Sequence, residues 1–418
     1  MKPTRRVFVV GGAHTDFIGK FHPDFIWKKH PDFGKRENPT LEEQLGNATR
    51  AALAANKADA SLIDKVYVGN FVGALFNNQA HTGALLARAV EELAYKPITR
   101  VEGACASGGL AVLGAVDALQ GGADVALAVG AEVQTSVSAR EGADYLARAA
   151  HYATERSIDE FTFPALFARR TKVYKETFGV SDEDLAHIVV KAYANANKNP
   201  KAHMKAFKMT FENAAQASAS NPHFLQNEEL SPHLKVSDCS QVSDGASAVI
   251  LATEEGLARL GLKPADCVEL IGYGHAVGPL GKVDDLTELG VTRRAAEDMY
   301  RSAGIKPSEV GVAEVHDCFA VTEALMAEAL GFADRGRGAA LAKDGATALD
   351  GSIPVNTGGG LIAFGHPVGA TGVKQVIEVA KQLQGKAGDY QIKNEASVGV
   401  TANMGGDDRT SVVMAFRG

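Results

Sequence analysis

Apolar positions along the chain fall into two textures that alternate. Short runs rich in β-branched residues read as buried strands: VFVVGGAH (7–14), KVYVGNFVG (65–73), DVALAVGAE (124–132) and SAVILAT (247–253). Between them lie stretches such as LGNATRAALAAN (45–56), whose apolar residues recur at helical spacing. Glycines bunch at the ends of the apolar runs, as they do at strand-to-helix turns in an α/β protein.

The pattern also repeats. VFVVGGAH near the start is matched by VELIGYGH (268–275): each is an apolar strand, then a glycine-bearing turn ending in histidine. An amphipathic helix and a second strand follow in both places, LIDKVYVGNF (62–71) and EVGVAEVHDCF (309–319). A third pair, EGACASGGLAVLGAVDALQ (102–120) and FGHPVGATGVKQVIEVAKQL (364–383), sets a turn of small residues before an apolar helix. The repeat predicts a duplicated α/β unit with equivalent turns facing one another. Residues 1–132 and 236–255 would form the first half and 256–418 the second. Residues 133–235 differ: FARRTKVYKETFGVSDEDLAHIVVKAYANANKNPKAHMKA is helical and basic in places, and reads as an inserted unit lying over a site. KFHPDFIWKKHPDFGKRENPT (20–40), with the only tryptophan, reads as an extended loop whose His22 and His30 belong to the surface.

Composition narrows the functional class. The 418 residues are 45% hydrophobic and 22% charged, enough for a full core. Lys plus Arg is 43 and Asp plus Glu 50, a net charge of -7, which carries no nucleic-acid footprint. No run reaches the ~18 apolar residues of a membrane span, and neither a secretory leader nor a peroxisomal signal is expected. Cys105, Cys239, Cys267 and Cys318 include no C-x-x-C pair and no Cys/His spacing suited to a metal. A reduced, cytoplasmic protein without disulfides, structural zinc or a permanent cofactor is expected.

Most lone cysteines are small buried hydrophobes. Two of these four have surroundings that argue for chemistry. GACASGG places Cys105 at the mouth of a long apolar helix, where unpaired N–H groups and a partial positive charge would lower a thiol pKa. EVHDCF puts His316 and Cys318 two residues apart at a strand end, facing one side. NTGGGLIAFGHPVGATG surrounds His366 with glycines that let backbone approach a ligand. TANMGGDD sets Asn403 and a glycine pair after a strand, a possible source of backbone donors. A nucleophilic thiol needs a base and its oxyanion needs donors, so two Cys and two His on glycine-lined turns from both halves predict one composite site.

In these motifs the chain resembles the thiolase superfamily over nearly its full length: CASGG, SDCSQVSDGASAVIL, HDCF, GHPVGATG and NMGG occur in order. It is most similar to the sterol carrier protein thiolase branch and the archaeal acetyl-CoA C-acetyltransferases. Common thiolases carry N-E-A-F where this chain has HDCF, and C-x-G where it has Asn403, Met404 and Gly405. The resemblance implies a five-layered α-β-α-β-α fold with an inserted, mostly helical loop domain covering coenzyme A, in a homodimer or homotetramer. It implies reversible Claisen condensation and thiolytic cleavage of 3-ketoacyl-CoA, with coenzyme A as substrate. Cys105 would carry the acyl group and His366 accept its proton. His316 would complete the first oxyanion hole, Cys318 would act as acid/base, and the Cys105 and Gly405 N–H groups would form the second hole. Ser240 matches a serine near the pantetheine arm. Coenzyme A phosphates would meet basic residues such as those of FARRTKVYK: Arg169, Arg170, Lys172 and Lys175. Two alternatives stay open: a ketosynthase-like condensing enzyme, in which Cys318 would be idle, and a subunit working with a downstream synthase through a small bridging protein.

Overall fold

The computed structural model describes residues 3–418. Nine strands are β1 (Val7–His14), β2 (Lys65–Gly69), β3 (Ile98–Val101), β4 (Val125–Glu132), β5 (Gly245–Ala252), β6 (Val268–Val277), β7 (Val312–Val315), β8 (Val398–Gly405) and β9 (Thr410–Arg417). The helices that frame the site are α1 (Leu41–Ala55), α2 (Thr82–Ala89), α3 (Ser107–Gln120), α4 (Ala139–Leu146), α5 (Thr162–Phe178), α6 (Asp182–Ala196), α7 (Gly290–Ala303), α8 (Ala320–Ala329) and α9 (Thr371–Leu383).

The strands join in the order β3-β2-β4-β5-β1-β6-β9-β8-β7. Read outward from the β1–β6 contact, the two arms share four strand positions: β1-β5-β4-β2 on one side, which β3 extends by one parallel strand, and β6-β9-β8-β7 on the other. β4 runs antiparallel to β5 and parallel to β2, and β8 runs antiparallel to β9 and parallel to β7. Even the irregularities correspond. Register shifts between Val9 and Gly11 in β1 and between Leu270 and Gly272 in β6. The duplication read from VFVVGGAH and VELIGYGH is therefore a duplication of topology.

Alternation along the strands builds the layers. Val125, Leu127, Val129 and Ala131 of β4 share a core with Leu45, Ala48 and Ala52 of α1. Ala126 and Ala128, on the opposite face, pack with Val112, Ala115 and Val116 of α3 and with Val373 and Ile377 of α9. On the second arm Val412, Met414 and Phe416 join that same central core, while Val413 and Ala415 face Ala295 and Met299 of α7. Helix, sheet arm, helix pair, sheet arm and helix thus stack as the expected five layers. In the middle, α3 and α9 cross backbone to backbone: a Cβ on Gly372 would lie 2.1 Å from the Gly109 nitrogen. Only glycine fits there.

Residues 133–235 hold α4, α5 and α6 and, among the described residues, no strand longer than an isolated bridge. Their buried side chains merge with the second arm's core, with Phe167 of α5 stacked on Phe319 at 4.5 Å. The 20–40 segment differs from its reading as an extended surface loop. It closes on itself, because Asn38 accepts from the Ile26 N–H and donates to the Ile26 carbonyl. Phe25 and Ile26 are buried there, and so is His22, which sequence placed on the surface and whose ring lies 6.4 Å from that of His203. No helix among the described residues is long and apolar enough to cross a membrane.

Candidate active site

Cys105 stands on a strained turn. The preceding Ala104 has φ +53°, a left-handed conformation unusual for a residue with a Cβ. Ser107 holds the turn, accepting from the Gly103 N–H (3.1 Å) and donating to the Ala104 carbonyl (2.6 Å). The thiol is thereby presented, half-buried, two residues ahead of α3.

The residues singled out in the sequence converge on it. The Cys105 sulfur and one ring nitrogen from each of His316 and His366 lie within 4.8 Å of one another. The two imidazoles meet edge to face, 5.0 Å between centroids. Cys318, Ser240 and Gly406 line the same cavity. Ser240 is anchored by its backbone N–H on the Cys318 carbonyl (2.9 Å).

Hydrogen bonds fix a different tautomer on each imidazole. Asn403 Oδ1 accepts from the Gly109 N–H (2.9 Å), which turns its Nδ2 toward the Cys105 carbonyl and His316 Nδ1, both at 3.2 Å. His316 Nδ1 therefore accepts, and its proton sits on Nε2 as a donor. His366 Nδ1 is 2.6 Å from Thr371 Oγ1, whose own hydrogen goes to the Pro367 carbonyl (3.3 Å). His366 thus donates from Nδ1 and offers Nε2 as a proton acceptor. Burial keeps both rings neutral. It pushes His366 down to about 3, helped by the nearby Lys374 ammonium. It pushes His316 well below the ordinary range, with His366 and Lys374 adding to the effect.

Burial also reverses the expectation for the nucleophile. A helix mouth should lower a thiol pKa, yet desolvation raises Cys105 to about 12, outweighing the backbone N–H groups of Gly406 and of Cys105 itself. The N–H that reaches the sulfur from the NMGG turn is that of Gly406, one residue beyond Gly405. Gly405 packs closely against backbone, where a Cβ would lie 2.0 Å from the Gly103 carbonyl oxygen. Cys318 is buried, has the Thr322 hydroxyl 3.8 Å from its sulfur, and is raised well above 9, first by desolvation and then by Cys105.

Outside this set, one member of the basic run in α5 turns inward, while Arg169, Lys172 and Lys175 stay partly exposed. Arg170 is fully buried, paired with Asp407 and donating to the Leu286 and Glu288 carbonyls at 3.0 Å. Lys172 pairs with Glu229 and Lys175 with Asp182, each at 2.8 Å. Arg170 thus anchors the 405–408 turn and is not available to a phosphate.

Three positioning groups escaped the sequence. Glu132, buried, accepts from the N–H groups of Phe71 (2.9 Å), Val72 (3.1 Å) and Gly369 (3.2 Å) and ties the arms together. Gln134 donates to the His366 carbonyl (2.9 Å). Ser243 accepts the His366 N–H (3.2 Å) and lies 2.9 Å from His203 Nδ1. The one available signal was Asn403, read only for its backbone although its side chain carries the tautomer argument. Asn403→Asp places a second carboxylate oxygen against His316 Nδ1, draws the proton there and removes the Nε2 donor. Turnover is expected to fall by about 10²–10³-fold, the usual effect of one lost oxyanion donor. Steady-state kinetics check this, and an undiminished kcat would show that His316 donates nothing from Nε2.

Known proteins resemble this chain in sequence and fold. Residues 30–255 match the thiolase N-terminal domain and 272–417 a domain described as thiolase C-terminal domain-like. An acetyl-CoA acetyltransferase of Methanothermobacter thermautotrophicus is 36% identical, over 85% of this chain and 88% of that protein. Human sterol carrier protein 2 is 29% identical over 96% of this chain and 70% of its own. The solved Ltp2–ChsH2(DUF35) aldolase superposes with a TM-score of 0.77 at 20% identity, covering 98% of this chain and 97% of that one. With both domains matched in order, two similar arms in five layers, and a thiol facing paired imidazoles, the chain belongs to the thiolase family of acyltransferases.

Proposed function

We propose that the protein cleaves and forms 3-ketoacyl-CoA by ping-pong chemistry through an acyl-enzyme on Cys105. The observation that carries the reading is the pair of imidazoles in opposite tautomers beside one thiol, with a second thiol in the same cavity. In the cleavage direction His366 Nε2 takes the Cys105 proton as the sulfur attacks the 3-keto carbon. The C2–C3 bond then breaks, leaving the acyl group on sulfur, and its electron pair becomes the enolate of acetyl-CoA. His316 Nε2–H stabilises that enolate oxygen, and Cys318 gives its proton to the α-carbon. The proton held on His366 returns Cys318 to the thiol, and the thiol of free coenzyme A then displaces the acyl group from Cys105, its proton passing through His366 to the departing Cys105 sulfur. The Cys105 and Gly406 N–H groups are suited to the acyl carbonyl oxygen. Ser240, on the cavity wall beside Cys318, is suited to the pantetheine arm.

A ketosynthase-type condensation is the weaker reading because decarboxylation leaves the Cys318 thiol without a task. The partners we propose are acyl-CoA, coenzyme A and a second copy of the chain, as homodimer or homotetramer. Docking to a downstream synthase through a small bridging protein rests on the family resemblance and the Ltp2–ChsH2(DUF35) neighbour. The setting we propose is the cytoplasm, where four free cysteines stay reduced.

The first experiment is thiolysis of acetoacetyl-CoA and of a longer 3-ketoacyl-CoA by free coenzyme A, followed at the enolate absorbance. Cleavage of either supports the reading, and cleavage of neither by folded protein refutes it. The acid–base pair has a second signature. With Cys105 at about 12 and His366 at about 3, neither changes charge near neutrality, so the proton moves during attack rather than before it. The kcat/KM for acylation is therefore expected to lack a two-limbed bell between roughly pH 5 and 9. A bell inside that window would mean a preformed thiolate–imidazolium pair.

A further inference from the structure

The cavity onto which Cys105 opens is larger than an acetyl group requires. It measures 440 Å³, against about 150 Å³ for an engineered apolar cavity that takes up benzene. The coenzyme A arm must share this space, yet the apolar lining is gathered in one place. Phe71, Phe76, Ala149 and Val368 form a single cluster, against which Cys105, Val137 and Leu146 pack. That wall is fixed in advance, because Glu132 holds the backbone of Phe71 and Val72 from behind.

Three polar residues of the cavity, Gln134, Thr135 and Ser138, are already engaged within the protein. Gln134 Nε2 donates to the Ser243 (2.8 Å) and His366 (2.9 Å) carbonyls. Thr135 bonds Asp244, and Ser138 caps α4 through Glu141. A carboxylated or hydroxylated acyl group seated beside these three residues would meet side chains already engaged elsewhere, whereas each apolar methylene seated against the wall favours binding by about fourfold.

Resting on the thiolase reading above, we propose that the acyl group carried by Cys105 is apolar and of about six carbons or more, since burial of the added methylenes is what this wall rewards. It seats against Phe71, Phe76, Val137, Ala143, Leu146 and Val368. A linear chain and a phenyl ring share this chemistry, and the arms of the test separate them.

The test measures kcat/KM for thiolysis of acetoacetyl-CoA, 3-ketooctanoyl-CoA and benzoylacetyl-CoA, which place acetyl, hexanoyl and benzoyl groups on Cys105. One of the larger substrates is expected to exceed acetoacetyl-CoA at least about tenfold, less than the product of four methylenes at full burial. The larger of the two ratios identifies chain or ring. Ala143→Phe, which fills the pocket, is expected to cut that preference about tenfold or more, by the same burial term. Should that variant fail to fold, acylation of Cys105 in the unaltered protein by hexanoyl-CoA, benzoyl-CoA and acetyl-CoA, read by intact mass, makes the same comparison. Acetoacetyl-CoA cleaved as fast as both larger substrates overturns the inference and leaves the thiolase reading standing. So does a folded Ala143→Phe with its preference unchanged. No cleavage of any of the three, with Cys105 still alkylated by iodoacetamide, overturns both.

Discussion

Cys105→Ala is expected to reduce turnover in both directions by at least ~10⁴-fold, the scale seen when a covalent nucleophile is removed while the rest of a site remains. The half-buried sulfur sits within 4.8 Å of a ring nitrogen on both His316 and His366, and alanine leaves those imidazoles with nothing to activate. The loss should come from chemistry rather than folding, since the turn is held by Ser107, Gly103 and Ala104 backbone and not by the thiol. Intact mass after exposure to acyl-CoA gives the direct reading: the unaltered protein gains one acyl group and the variant none. An acylated, turning-over variant would place the nucleophile elsewhere.

Cys318→Ala is expected to separate the two half-reactions. Carbon–carbon cleavage should fall about 10³–10⁴-fold, the upper range for loss of a general acid–base group, while Cys105 still accepts an acyl group from acyl-CoA. The separation follows from the environment of Cys318. Burial and the neighbouring Cys105 hold its pKa well above 9, so it rests as a thiol and can deliver a proton to an enolate without first acquiring one. The Thr322 hydroxyl, 3.8 Å from its sulfur, is too loose to take over that delivery. Stopped-flow thiolysis alongside mass measurement of the acyl-enzyme distinguishes the cases. If acylation and cleavage fell by the same factor, Cys318 would be shaping the pocket and not moving a proton.

Legibility followed the range of the interaction. The strand and helix textures are local, and β4 and α3 formed where DVALAVGAE and GLAVLGAVDALQ placed them. Repetition is also a local signal, only read twice, and it foretold the matching arms. Cys105, His366 and Asn403 were found because each lies by a glycine-rich turn, and His316 and Cys318 because an imidazole and a thiol two residues apart end a strand. What sequence could not supply was environment. The direction of the Cys105 shift depends on how much protein covers the thiol, which the helix-mouth argument ignores. Arg170 reads as surface charge until Asp407, 237 positions later, folds over it. His22 reads as a surface residue until His203, 181 positions later, packs beside it. The role of Asn403 needs Gly109, 294 residues away, to orient its amide.

The mirrored sheet arms bear on ancestry. Cys105 precedes α3 and His366 precedes α9, and these two helices are counterparts that cross at glycine. Nucleophile and base therefore sit on the equivalent turn of the two copies, two residues ahead of one helix and five ahead of the other. A symmetric progenitor made of two identical halves would have offered thiol against thiol, or imidazole against imidazole, and neither pairing moves a proton from one partner to an unlike one. Fusion into a single gene lets the copies drift apart, so the chemistry of this site is a product of broken symmetry. An isolated half, however well it folded, would hold only one member of the pair.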